Sequence, residues 1–512
     1  MHAPVVINDT SQANANVVLG IVIANSVLAF WFILFSGHAA RVKYSSLVGA
    51  VALGAGLFGA VYMPTNSVER HNYAILVSRE PDWLMDVPKP QSRFVDLRTT
   101  TEDDFPRFLG KERDGAVEHV RLERDWDKHP PRLIWKQEIG AGWSAFSVVN
   151  GFAVTMEQRG PLQLTTCYDV MTGQIRWSHS VENRHKEYDI GPRSTPTIYG
   201  GMVYTLGPSG RLFCLDGNTG ESVWKRKLFD DFEIPGHVEY DEVLFGRSNS
   251  LLVTDNMVIV PIGGAPGKRV SLAAFDRKTG KLIWTGGDRQ VSFSSPRRAT
   301  LGDVDQILIV NADNISGHDV STGKVLWDYD WPGESDYDAS VSQAVPVAPN
   351  RVFVSKGYGR GAALFDLVPK EGGGFDTKTA WAKSKVLRTK FTNVVIWRDH
   401  VYGLSEGILE CVELNTGNRV WKGGRYGHGQ ILRVNNMLLV LSDKGEVFLV
   451  DLSTEHANHV LGRFQGLDGK TWNNIAMYGK YLLIRNAREA ACYELATVND
   501  TRAPASSVAA KR

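Results

Sequence analysis

One short motif recurs along this chain and restricts its fold more than any other feature. An acid is followed by Thr-Gly at the third and fourth later positions and by Trp at the eighth, as in CLDGNTGESVW. Copies lie about 38–60 residues apart, a period typical of propeller blades. The five close copies place their acid, glycine and tryptophan at Asp169, Gly173, Trp177; Asp216, Gly220, Trp224; Asp276, Gly280, Trp284; Asp319, Gly323, Trp327; and Glu413, Gly417, Trp421.

Three weaker copies complete the set. ALFDLVPKEGG carries Asp366, with Trp381 displaced by an insertion, and later segments carry Asp451 and Glu494. In each unit an alternating strand ends at the acid, and Thr-Gly supplies hairpin turn chemistry. Two further strands precede each acid, as in TPTIYGGMVYTLGPSGRLFCLD. Four antiparallel strands per unit predict one propeller blade each.

The ends of the repeat region predict how the ring closes. The last unit, from Asn473 to Leu495, contains three strands and stops before any Trp position. The missing strand is found at the start, in PRLIWKQEIG (131–140), where Trp135 occupies the outer tryptophan position. The eighth such position is expected near Arg463. The sequence therefore predicts an all-β, eight-bladed β-propeller over 131–496.

The D-x-x-T-G-x-x-x-W repeat resembles the PQQ-like (quinoprotein alcohol dehydrogenase-like) propeller family over about Asp104–Leu495. DFPRFLGKERDG and GRYGHGQ are also similar to segments of its membrane-anchored members. The superfamily holds PQQ-dependent dehydrogenases and BamB, a propeller of the outer-membrane barrel assembly machinery. For a dehydrogenase, the resemblance implies an adjacent Cys-Cys disulfide over the quinone, a Trp beneath it, a calcium held by Glu and Asn, and an Asp base.

This chain departs from that dehydrogenase pattern. It has four cysteines, none adjacent to another, and no C-x-x-C-H haem motif. No Glu/Asn/Asp calcium set matches residue by residue, so neither PQQ nor calcium is assigned and no metal site is predicted. Each cysteine instead stands two residues before its blade's acid, at a position that also holds Ala, Gly or Leu. The thiols are therefore expected to be unpaired packing groups: Cys167, Cys214, Cys411 and Cys492.

Two uncharged apolar runs, 17–35 and 47–63, precede the repeats and are predicted to be N-terminal transmembrane helices in a domain spanning 1–64. Arg41 and Lys43 lie between them, which favours a cytoplasmic loop and a propeller facing the periplasm from the inner membrane. A cleaved signal peptide or a single retained helix is the alternative. Residues 65–130 are read as a periplasmic linker and 497–512 as a disordered tail.

Aligning the units places the start of each innermost strand around the central mouth of the ring. These segments offer tryptophans, cations and amides that suit an anionic, planar or sugar-like ligand. The alternative is that they bond strand ends and water along a narrow channel. The candidates are Trp143, Arg193, Arg247, Gln343, Lys390, His428, Gln430 and Trp472.

The sequence favours a membrane-anchored, non-catalytic binding or scaffold protein of the cell envelope. Its formal net charge of +1 gives no case for nucleic acid. Partners would be envelope proteins or a small ligand. The alternative is a PQQ-dependent membrane dehydrogenase that oxidises an alcohol or sugar, and a periplasmic small-molecule receptor is a third reading.

Overall fold

The computed structural model describes residues 94–183, 190–243, 245–332 and 339–498. The apolar runs 17–35 and 47–63 and the tail from 499 onward lie outside the described residues. Among the residues that are described, no helix is both long enough and apolar enough to cross a membrane.

Eight antiparallel sheets of the repeat region form the blades of the ring, which confirms the eight-bladed all-β fold. Successive units along the chain give successive blades, and two short helices, α1 (Leu228–Asp231) and α2 (Gly236–Glu242), follow the second. Blades 1 to 4 consist of β3 (Ser147–Val149), β4 (Phe152–Arg159), β5 (Leu162–Asp169), β6 (Ile175–Glu182); β7 (Thr197–Tyr199), β8 (Met202–Leu206), β9 (Arg211–Asp216), β10 (Ser222–Lys227); β11 (Leu252–Val253), β12 (Met257–Gly263), β13 (Val270–Asp276), β14 (Leu282–Gly286); and β15 (Arg297–Leu301), β16 (Val304–Val310), β17 (Asn314–Asp319), β18 (Val325–Asp330).

The remaining sheets complete the circle with two strands from the beginning of the region. The parallel strand β1 (Ala116–Val117) joins blade 7, and β2 (Arg132–Glu138) is the outermost strand of blade 8. Blades 5 to 8 otherwise consist of β19 (Val345–Val347), β20 (Arg351–Lys356), β21 (Gly361–Pro369), β22 (Phe375–Lys383); β23 (Val395–Trp397), β24 (His400–Ser405), β25 (Ile408–Glu413), β26 (Arg419–Arg425); β27 (Gln430–Val434), β28 (Met437–Leu441), β29 (Glu446–Asp451), β30 (Val460–Gln465); and β31 (Ala476–Tyr478), β32 (Tyr481–Arg485), β33 (Glu489–Glu494).

The repeated motif is the device that joins neighbouring blades. In blade 4 the Asp319 Oδ1 accepts the backbone N–H of Thr322 at 2.8 Å, and Gly323 follows at φ +73°. Trp284 of blade 3 lies over this turn, and a Cβ at Gly323 would stand 2.4 Å from the indole. The indole N–H donates to the Val320 carbonyl at 3.2 Å. Trp135, Trp177, Trp224 and Trp381 make the same bond to the residue after the next blade's acid.

The eighth outer position lies beside Arg463, near where the sequence predicts it, and holds glycine in place of tryptophan. Strand register places Gly462, not Arg463, opposite Leu449, where the other blades pair their tryptophan. A Cβ at Gly462 would lie 2.6 Å from the Cβ of Trp126, so an indole from upstream of the repeats fills this place. Trp126 is buried and its ring lies 5.7 Å from that of Phe464.

The segment read as a linker differs from expectation where it is described. Part of this stretch packs on the ring, and five of its apolar side chains enter the same core as blades 7, 8 and 1. Frequent charged residues hid these sparse buried positions, whereas Phe94 is exposed. The five are Phe105, Val117, Val120, Leu122 and Trp126.

All four cysteines are free and buried, as the sequence predicts. We therefore expect the thiols to react slowly in the folded chain. Burial raises the pKa of Cys214 to about 11 and those of Cys411 and Cys492 to about 12. Because the thiolate is the nucleophile, the native thiols should react with Ellman's reagent more than about a hundredfold slower than in the unfolded chain. Rapid native reaction of any one thiol would contradict this packing.

Candidate functional site: the mouth of the ring

The mouth is the face where the innermost strands begin, and its segments are bonded to one another across the blades. The backbone N–H of Thr195 donates to Ser250 Oγ at 3.0 Å, and that of Ser250 donates to Ser295 Oγ at 2.9 Å. The backbone N–H of Gln343 donates to Asn393 Oδ1 at 2.9 Å. Equivalent positions therefore hold each other in place around the axis.

Three of the predicted mouth residues are part of this internal bonding. Gln343 is buried and donates from Nε2 to the Ser295 carbonyl at 3.1 Å. Arg247 is 1% exposed; its guanidinium donates to the Ile262 carbonyl and lies 5.4 Å from the ring of Phe229. These side chains satisfy buried carbonyls, so a structural role accounts for their chemistry.

Gln430, the third of them, fixes the position of two aromatic residues. Its Nε2 donates to the Phe391 carbonyl at 2.9 Å and to the Trp472 carbonyl at 2.8 Å, and it thereby bridges blades 6 and 8. Asn473 plays a similar part between blades 8 and 1, since its Nδ2 donates to the carbonyl groups of Gly142 and Ser144 at 3.1 and 2.9 Å.

The two predicted tryptophans, Trp143 and Trp472, belong to a row of aromatic rings along one side of the mouth. The centroids of Trp143 and Trp472 are 5.4 Å apart, those of Trp472 and Phe391 4.8 Å, and those of Phe391 and His428 5.4 Å. We call these four residues the aromatic arc. The Lys470 ammonium lies 3.7 Å from the Trp472 centroid and 5.2 Å from that of Trp143, within cation–π range.

Charged side chains adjoin the aromatic arc. Lys390 Nζ lies 3.1 Å from Glu406 Oε2 and 5.5 Å from the ring of Tyr358. Burial, together with the Lys390 charge, lowers the pKa of His428, so this imidazole is neutral at pH 7. Arg193 is half-buried, next to Pro192, whose carbonyl accepts the Trp143 backbone N–H at 2.8 Å.

A buried ionic cluster lies beneath the mouth, where blade 8 meets blade 1. Arg485 donates to the carbonyl groups of Gly140 and Met156 at 2.8 and 3.0 Å and to Thr155 Oγ1 at 2.8 Å. Glu157 is 0% exposed and lies 3.3 Å from Arg159. Burial alone would raise the pKa of Glu157, but Arg159 and Arg485 outweigh it and hold that pKa below its usual range.

These residues do not fit the calcium of a quinoprotein site. Calcium takes six to eight oxygen ligands, several from carboxylates, and no group of three His, Cys, Asp or Glu that could hold a metal occurs among the described residues. Glu406 faces Lys390 and Glu157 faces two arginines. The described mouth therefore offers cationic and aromatic recognition chemistry.

Sequence reasoning missed several residues that matter here. Phe391 stands in a segment assigned to the mouth but was not selected, because the choice favoured tryptophans, cations and amides. Lys470 is a cation of the same kind as Lys390 and stands in the segment of Trp472, yet it was also passed over. An amide side chain recurs next to the start of the innermost strands. This recurrence is the sequence signal that could have identified the residues whose hydrogen bonds join neighbouring blades at the mouth. Its members include Asn249, Gln343, Asn393, Gln430 and Asn473.

A closed ring of eight blades, in which five Thr-Gly turns each lie under a tryptophan of the preceding blade, defines a PQQ-like β-propeller. The family model described as outer membrane protein assembly factor BamB matches residues 162–423, just over half of the chain. The chain belongs to this family.

Relatives within this class include both an outer membrane protein assembly factor and dehydrogenases. BamB of Shewanella oneidensis is 23% identical over 333 residues, 62% of this chain and 78% of that protein. The quinohemoprotein alcohol dehydrogenase ADH-IIG of Pseudomonas putida is 25% identical over 287 residues, 52% of this chain but 36% of the enzyme.

Solved structures show the same fold. BamB of Moraxella catarrhalis superposes with a TM-score of 0.52 at 17% identity, covering 71% of this chain and all of that one. A europium-containing methanol dehydrogenase gives a TM-score of 0.60 at 11% identity, covering 77% of this chain and 98% of that one. At such identities the likeness concerns the fold alone.

Proposed function

We propose that this chain is a non-catalytic binding or scaffold propeller of the cell envelope. Its N-terminal apolar helices hold it at the inner membrane, and the ring faces the periplasm. The aromatic arc, with Lys470 and Lys390, is the docking surface for an envelope protein. The observation that carries the proposal is that the aromatic arc lies beside two lysines at the mouth. The inner side chains of the mouth, by contrast, form hydrogen bonds within the ring.

The chemistry of the arc suits recognition of a polypeptide. Aromatic rings bury large areas at little cost in side-chain entropy, and they are enriched at the centres of protein interfaces. Lysines beside them steer an acidic partner and favour its correct orientation. The family's BamB description supports a protein-binding role, while the membrane anchor rests on the two apolar runs.

A photo-crosslinking residue at position 428 of the full chain tests the docking surface in living cells. We expect irradiation to give a defined adduct with an envelope protein. The same residue at position 223, where Val223 is exposed on the outer strand β10, should not give that adduct. Trp472→Ala together with Lys470→Gln should reduce the adduct at position 428 by about tenfold or more. An unchanged yield would contradict docking at the arc.

The alternative, a PQQ-dependent dehydrogenase acting on an alcohol or sugar, is favoured by the similarity to ADH-IIG. It is tested with the purified chain, added PQQ and calcium, and an artificial electron acceptor over a panel of alcohols and sugars. The scaffold proposal expects no turnover above the protein-free rate. Turnover that requires both additions would overturn it.

A further inference from the structure

The face opposite the mouth is occupied by a piece of the chain itself, residues 104–118, which we call the plug segment. Innermost strands of a propeller surround its axis, so a segment that reaches many of them lies across that axis. The plug segment reaches the innermost strands or their first residues in five blades, at Val148, Ile198, Leu251, Val395 and Val434.

Backbone hydrogen bonds fasten the plug segment at both ends. Phe105 exchanges N–H and carbonyl bonds with Val148 of β3 at 2.9 and 2.8 Å, and the Pro106 carbonyl accepts the N–H of Ile198 at 2.8 Å. At the other end, β1 adds to β27 as a parallel strand. This is the geometry by which sheet edges bind extended peptides.

Charged side chains add to these bonds. Arg113 of the plug segment is buried and donates to the carbonyl groups of Leu251 and Ser250 at 2.8 and 2.9 Å. Arg433 of β27 forms an ion pair with Glu118. Burial lowers the pKa of Arg297 of β15, and the charges of Asp114 and Glu112 oppose that shift. The plug segment thus meets the ring with both its basic and its acidic side chains.

We propose that this face of the ring is a binding site for an extended segment of mixed charge, and that residues 104–118 of the chain are its resident ligand. The site holds the amino-terminal part of the chain on the ring by non-covalent contacts. These contacts should persist when the chain is cut between Trp126 and β2. The plug segment also closes the axis at this face, so an axial ligand enters only through the mouth. The proposal is independent of what the mouth binds.

Cleavage of the full chain between the plug segment and the ring tests this site. Residues 127–130 are replaced by a protease recognition sequence; Asp127, Lys128 and Pro130 there are exposed. After complete cleavage in mild detergent, we expect the amino-terminal fragment to co-elute with the ring in size-exclusion chromatography. Prompt separation of the two fragments, with the ring still folded by circular dichroism, would overturn the proposal.

Variants of the cleavable chain keep the result specific. Arg113→Met should make the cleaved fragment leave the ring about tenfold faster or more, because its bonds are buried. Glu118→Gln, whose carboxylate is largely exposed, should speed release by about two- to fivefold, and this effect should shrink as salt screens its ion pair. The exposed Arg121→Gln is the matched control and should release no faster than the parent. If Glu118→Gln folds but releases the fragment no faster than Arg121→Gln, the Glu118 ion pair does not hold the plug segment. This comparison remains valid even if Arg113→Met fails to fold.

Discussion

Replacement of Arg485 by methionine is expected to lower the free energy of unfolding by about 3–5 kcal/mol, because it leaves a buried carboxylate with half of its positive surroundings. Arg485 is 0% exposed and donates to Thr155 Oγ1 and the Met156 carbonyl of blade 1 and to the carbonyls of Gly140 and Gly142, which precede that blade, all within 3.4 Å. Methionine retains most of the volume but none of these donors. Urea unfolding followed by tryptophan fluorescence measures the change.

The loss should depend on pH in a defined direction. In the parent, Glu157 has a pKa below its usual value, so its contribution to stability is full above about pH 4.3 and is lost as the pH falls through the folded-state pKa. Without Arg485 that pKa rises, since burial then dominates. The gap between parent and variant should therefore narrow from pH 7 towards pH 4.

Arg488→Met is the matched control, because Arg488 is exposed three residues further along. Its effect should stay within about 0.5 kcal/mol. If Arg485→Met proved as mild as this control, or if its cost were independent of pH, the buried cluster would not stabilise the junction between blades 8 and 1.

Trp284→Ala is the second change with a large expected effect, again about 3–5 kcal/mol. The indole is 8% exposed and fills the space above the Gly323 turn of the next blade, and its N–H bond to Val320 is lost as well. Alanine leaves a cavity between two rigid sheets that cannot easily collapse. Thermal and urea unfolding should both record the loss.

Ile283→Ala provides the comparison on the same strand, since Ile283 is 47% exposed. It removes an apolar side chain without opening an interface between blades, and should cost about 1 kcal/mol or less. Similar losses for the two variants would mean that the motif tryptophan does not join the blades.

The fold was predictable because the residues that define each repeat lie close together in the sequence and act locally. Asp-x-x-Thr-Gly is a hairpin turn wherever it occurs, and Trp at a constant offset marks the same place in each sheet. Even the long hairpin of blade 5 keeps Trp381 opposite Leu364, as Trp177 is opposite Cys167. Spacing alone therefore identified eight units and placed Trp135 beside the last of them.

The candidate site was predictable only in part, because side-chain direction at the mouth is set by contacts between blades. Arg247 and Lys390 carry similar charges in similar segments, yet Arg247 is buried against carbonyls and Lys390 is half-exposed beside Glu406. The plug segment was hidden for another reason. Its bonds are made mainly by the backbone, which leaves no side-chain pattern to recognise. Downstream of it, Trp126 was missed because it substitutes for a repeat residue 336 positions away, at Gly462.

Proximity of Arg132 and Glu494 tests most directly the central claim that the first and last segments complete one blade. The structure pairs Arg132 of the outermost strand β2 with Glu494 of β33, and the two side chains form an ion pair. With cysteines at both positions, a short bismaleimide should link them within one chain, as detected by mass spectrometry. A cysteine at Arg132 combined with one at Glu413, the corresponding acid of blade 6, should give no such link. Failure to link the first pair in a folded chain, or equal linking of both, would contradict a ring closed by β2.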